Sequence, residues 1–84
     1  MYRVTFQYDK VDENPDKGYF TQTTATVFGP NNDIVATGYA LCVPEDQFKK
    51  SVGRKLALTR ALSCFDRPMR RAVWHSVLAK GMKV

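Results

Sequence analysis

Four cations, Lys49, Lys50, Arg54 and Lys55, sit before or within the first turns of the strongest helix signal in this 84-residue chain. A helix N-terminus carries partial positive charge and prefers carboxylates. Each misplaced cation opposes the helix by a few tenths of a kcal/mol, judged from the roughly 0.3–1 kcal/mol that a favourable terminal charge contributes. An anion would compensate, because free N–H groups and cationic side chains would converge on it. The plainer reading is a solvated basic turn.

Other basic residues extend the pattern. Lys50 and Arg54 are four apart and share a helix face. Arg60 and Arg67 are seven apart, about two turns, and prolong the strip if two helices run on closely. Arg70 and Arg71 precede Trp74 by four and three residues. An arginine over an indole, with a second alongside, suits stacking on a base or holding a phosphate. The plainer reading of Trp74 is core packing. The sequence thus nominates Lys49, Lys50, Arg54, Lys55 and Arg60 as phosphate ligands. Arg67, Arg70, Arg71 and Trp74 form a second basic and aromatic patch.

Catalysis has little to work with. An active site needs a nucleophile with its base, paired carboxylates or a metal cage. His75 is the single histidine, set among Arg70, Arg71 and Trp74 with no carboxylate near it in sequence. A dyad of His75 with Cys42 or Cys64 is the remaining enzymatic option. Ser51-Val52-Gly53-Arg54-Lys55 lacks the flanking glycines of a phosphate-binding loop. One histidine does not suit a zinc site. The expectation is a non-enzyme without cofactor or metal, in which Cys42 and Cys64 are small buried thiols not joined in a disulfide.

Charge is divided unevenly. Residues 1–46 hold three Lys/Arg and seven Asp/Glu, a net −4, and residues 47–84 hold ten and one, a net +9. Such asymmetry points the C-terminal half at a polyanion or an acidic partner. The length fits one domain spanning 1–84 with a modest core, and a hydrophobic share of 44% is ordinary for a globular protein. Residues 1–15 contain no apolar run of the signal-peptide kind. No stretch approaches the ~20 apolar residues of a membrane span. A cytoplasmic protein with no membrane partner is expected.

The elements that must carry these residues follow from period and punctuation. Tyr2, Val4, Phe6 and Tyr8 alternate with Arg3, Thr5 and Gln7, a half-buried strand. Residues 9–17 read as a polar connection ending in Asn14-Pro15-Asp16-Lys17-Gly18 turn chemistry. A second strand runs from about Tyr19 to Phe28, with either Tyr19/Thr21/Thr23/Ala25/Val27 or Phe20/Gln22/Thr24/Thr26/Phe28 inward. Gly29-Pro30-Asn31-Asn32-Asp33 makes a hairpin turn. A third strand covers Ile34 to about Val43, where Gly38 marks a bulge or a close contact with a helix. Pro44-Glu45-Asp46 starts a helical turn carrying Phe48 inward, and Ser51 is the expected N-cap of the main helix. Gly53 near its start permits a bend or a close backbone approach. Leu58, Ala61, Leu62 and Phe65 form its apolar face, and it ends near Phe65. Asp66 caps a second helix with Pro68 in its first turn, Met69, Val73 and Val77 as its ridge, and Gly81 as its stop. The fold class is α+β: a three-stranded antiparallel meander followed by two C-terminal helices packed on one face (β-β-β-α-α).

The block Asp46-x-Phe48-x4-Gly53-Arg54-Lys55-x-Ala57-Leu58-x-Arg60-Ala61-Leu62, preceded by Ala36-Thr37-Gly38, resembles that of small uncharacterised proteins encoded by bacteriophages and prophages. The likeness covers roughly residues 20–75. It implies origin and fold, and a prior for action on host machinery such as polymerases, nucleases and defence systems inside an infected bacterial cell. A weaker likeness is to the double-stranded RNA-binding domain, where a meander precedes a helix whose N-terminal lysines straddle phosphates. This chain departs from it by opening on a strand and by adding a helix after Phe65. The expected function is therefore a phage-type accessory protein whose basic half binds nucleic acid or a nucleotide phosphate. The alternatives are an inhibitor that binds a host or defence enzyme, and a homo-oligomeric structural protein pairing through the sheet's face or edge.

Overall fold

The structure is a computed structural model that describes residues 2–14, 16, 18–43 and 49–81. Strands β1 (Arg3–Asn14), β2 (Gly18–Phe28) and β3 (Ile34–Cys42) precede helix α1 (Lys50–Ala61), a 3-10 turn (Leu62–Cys64) and helix α2 (Arg67–Ala79). The strands form one antiparallel sheet in the order β1-β2-β3, and the helices pack on one of its faces. This is the α+β meander that the sequence pattern predicts.

The inward face of β2 is the one bearing Thr23, Ala25 and Val27, all buried. Its neighbours in register are Tyr8 and Ala40 beside Thr23, Phe6 and Gly38 beside Ala25, and Val4 and Ala36 beside Val27. Towards β3 this surface is made of small residues, and α1 meets it with small residues of its own: Gly53, Ala57 and Ala61 are buried. Small side chains on both partners let the helix axis approach the sheet closely. At Gly38 a Cβ would overlap the carbonyl oxygen of Ala57 and the backbone of Ala61. The glycine marks a close helix contact. Larger side chains fill the rest of the core: Val4, Val27, Leu58, Leu62, Val73 and Val77 are buried, with Tyr2, Phe6, Phe65 and Trp74 packed around them.

Local chemistry sets the ends. The β2–β3 turn closes through Gly29 N–H to the Asp33 carbonyl at 2.8 Å and Asn32 N–H to the Gly29 carbonyl at 2.9 Å. Asn32 adopts φ 64° there, a conformation that asparagine tolerates better than most residues. Asp66 caps α2, its Oδ1 accepting from Met69 N–H at 3.1 Å. Gly81, at φ 76°, follows the end of that helix.

Three expectations need correction. β1 does not give way to a polar connection after Tyr8 but continues to Asn14, because Asp9, Lys10 and Val11 pair with Gln22, Thr21 and Phe20 across the hairpin. Backbone pairing outweighs the polar composition there. Ser51 is not the cap of α1: the helix starts a residue before it, with Lys49 in the cap position and no side-chain bond to the first turn. Lys50 stands over the Tyr8 ring and Ala57 lies against Gly38, contacts that hold this end of the helix to the sheet. The two cysteines are not joined in a disulfide, but neither are both buried. Cys42 is half-buried, and Cys64, at the close of the 3-10 turn, is exposed. The expected turn at Pro44-Glu45-Asp46 with Phe48 lies outside the described residues.

Candidate functional site

The cations of α1 are distributed around the helix rather than gathered on one side. Lys50 and Arg54 do share a face, as their spacing requires, and both reach Tyr8 on β1. Arg54 Nη1 donates to Tyr8 Oη at 3.1 Å. The Lys50 ammonium stands 5.1 Å from the centroid of the same ring, within cation–π range. Tyr8 thus serves as a platform for both, a role that its alternation on β1 places but does not announce.

Lys49 and Lys55 are exposed. At 100° per residue Lys55 is turned about 160° from Ala57, which packs on the sheet, so it projects away from Arg54's contact with Tyr8. Arg60 takes a third direction: its Nη1 donates to the Tyr39 carbonyl at 2.8 Å. That carbonyl lies on the outer edge of β3, so Arg60 satisfies an edge acceptor. The five nominated phosphate ligands consequently divide into a Tyr8 pair, two outward lysines and an edge-binding arginine.

The second patch is reorganised too. Arg67, Arg71 and His75 recur at i, i+4, i+8 on α2 and line one shallow, open depression together with Pro68, Ala72 and Ser76. Arg70 is exposed on an adjacent stripe, and Trp74 is half-buried against the core margin. The rings that lie beneath cations are Phe28, under Arg3 at 4.3 Å, Tyr19, under Lys10 at 4.4 Å, and Tyr8. His75 was visible in the sequence only as a weak catalytic candidate. Its spacing from Arg67 and Arg71 was the signal that joins the three.

The electrostatics of the helical layer are one-sided. Residues 49–81 carry nine Lys/Arg and a single carboxylate, Asp66. That carboxylate is engaged at the N-terminus of α2. Apolar side chains are interspersed: Val52 is 60% exposed, Leu56 39% and Leu78 58%. Among the described residues no three His, Cys, Asp or Glu side chains gather as a metal-ligand set. No helix among them is long and apolar enough to cross a membrane. No protein-family model matches the chain, and neither a curated protein nor a solved structure matches it significantly.

Proposed function

We propose that this chain is a non-enzymatic accessory protein of phage type, working in the cytoplasm of an infected bacterium, whose helical layer binds nucleic acid or a nucleotide phosphate. The observation that carries the reading is the charge of that layer: nine cations against one carboxylate, and that one already bound to a helix N-terminus. Arg67 and Arg71 offer planar donor forks to phosphate oxygens, and His75 beside them adds a further donor. Lys49, Lys55 and Arg70 are exposed counter-charges that widen the footprint. The phage assignment rests on the sequence resemblance alone.

Titration with short single- and double-stranded oligonucleotides across a range of salt tests the reading. Each phosphate neutralised contributes about −0.9 to the slope of log K against log salt on duplex and about −0.7 on single strands. A slope steeper than about −2, lost in an Arg67→Ala/Arg71→Ala variant, is expected. No binding at low salt would exclude it. One observation favours the second reading, an inhibitor of a host or defence enzyme: Val52 and Leu56 place apolar surface beside Lys49 and Lys55, and a protein partner uses such surface where a phosphate backbone does not.

A further inference from the structure

Both helices cover the face of the sheet that bears Val4, Ala25, Val27 and Ala40, and among the described residues no element covers the other face. Register and alternation assign its side chains to five rows across the strands. The first is Arg3 and Phe28, the second Thr5, Thr26, Thr37, the third Gln7, Thr24, Tyr39, the fourth Asp9, Gln22, Leu41 and the fifth Val11 and Phe20; a register shift between Val27 and Phe28 takes Ile34 out of the alternation. Two contacts confirm the facing: the Arg3 guanidinium stacks on Phe28, and the Gln22 amide donates to Thr24 Oγ1 at 3.4 Å. Tyr39 and Leu41 are each more than half exposed.

Thirteen cations and eight carboxylates are spread over 84 residues, yet these rows hold one of each. Arg3 and Asp9 stand in the first and fourth rows, six residues apart on β1, and cancel. A neutral face gives a polyanion no purchase, whereas it allows a second +5 chain to approach. We infer that this face is a homodimer interface in which two sheets pack with their strands antiparallel about a two-fold axis running across the strands. That axis leaves β1 over β1 of the second copy and reverses its direction. With the axis between the second and third rows, the first row meets the fourth, so that Arg3 faces Asp9 and Phe28 faces Gln22, while Val11 and Phe20 lie beyond the overlap. The second row meets the third, threonines against Gln7, Thr24 and Tyr39. Every contact is made twice, as an isologous interface requires.

The alternative two-fold, along the strands, sets β1 over β3 and leaves both charges without an opposite partner. Edge-to-edge pairing through β3 is obstructed, since Arg60 occupies the Tyr39 carbonyl on that edge. Arg3 spends one N–H on Asn32 Oδ1 at 2.6 Å, and a guanidinium has five. Aligned sheets cross at about 30°, an offset that the long arginine side chain spans. Three strands about 4.8 Å apart and eight residues at about 3.4 Å each make a face of roughly 14 by 27 Å. That is about half the roughly 800 Å2 per partner of a standard interface, so the dimer dissociates on dilution.

Sedimentation velocity over a concentration series, with two single variants, tests the pairing. Arg3→Glu sets a second carboxylate against Asp9, and Asp9→Arg sets a second guanidinium against Arg3, so each alone should weaken dimerisation at least tenfold. Mixed one to one, the two variants restore both opposite-charge contacts and should form a heterodimer. A wild type that stays monomeric at millimolar concentration overturns the proposal. So do single variants that dimerise like wild type, or a mixture that stays monomeric although both variants melt normally. If a variant melts early, wild-type NMR shifts on dilution decide. They should move at Thr5, Gln7, Thr24, Thr26, Thr37 and Tyr39, and movement confined to α1 and α2 refutes the interface.

Discussion

Gly38 on β3 lies against the carbonyl of Ala57 on α1 so closely that no side chain fits between them. The neighbours that would have to yield are backbone atoms, which cannot rotate aside. Gly38→Ala should therefore cost about 3 kcal/mol or more, the upper end of overpacking penalties. Urea denaturation measures it, and a variant as stable as wild type would show that α1 can lift from the sheet without loss.

Thr23 is fully buried beside Tyr8 and Ala40, and its hydroxyl has no hydrogen-bond partner. A buried unsatisfied polar group costs about 1–3 kcal/mol. Valine keeps the branched shape and removes the oxygen. Thr23→Val should raise stability by about 1 kcal/mol, seen as a higher urea midpoint at unchanged slope.

Arg54 and Lys55 are neighbours in sequence with different surroundings. Arg54→Ala removes the bond to Tyr8 and should lower stability by about 1 kcal/mol. Lys55→Ala removes an exposed cation near the start of a helix, and stability should hold or rise slightly. Paired thermal melts separate the two, and equal losses would mean that Lys55 also bears structure.

Leu62→Ala empties a fully buried site and should cost about 2–5 kcal/mol. Phe6 is only half-buried, so Phe6→Ala should cost less, about 2 kcal/mol, in proportion to the area removed from water. Chemical denaturation ranks the two. The reverse order would place the centre of the core at the sheet and not at the 3-10 turn.

Local and periodic features were readable in the sequence. The alternation from Tyr2 to Tyr8, the Asp66 cap with Pro68 behind it, and the Val73–Val77 ridge depend on neighbours within one element, and all stand as predicted. Gly38 was legible as either a bulge or a close helix contact, the two common uses of glycine inside a strand, and the approach of Ala57 decides for the second. What failed or stayed open depended on partners distant in the chain. The length of β1 is decided by what β2 offers across the hairpin. The inward face of β2 is decided by the small residues of α1. The start of α1 is held by its contacts with the sheet, not capped by Ser51. The candidate site was legible as a set of cations but not as an arrangement, because Tyr8 and the edge carbonyl of Tyr39 choose where Arg54 and Arg60 point.

α2 packs against β1, and Phe65 at its threshold meets the ring of Tyr2 at 6.4 Å between centroids. β1 is thus closed by α2, the described helix farthest from it along the chain. At about 5–20 residues per second of synthesis, β1 waits roughly 3–12 s for the sixty or so residues that complete its cover. During that interval the hairpins can zip, since each strand pairs with its immediate successor, but Val4 and Phe6 remain without α2. A nascent chain stalled before Arg67 should be recognised by a hydrophobic-segment chaperone, and one extended past Ala79 with a tunnel-length tail should be released.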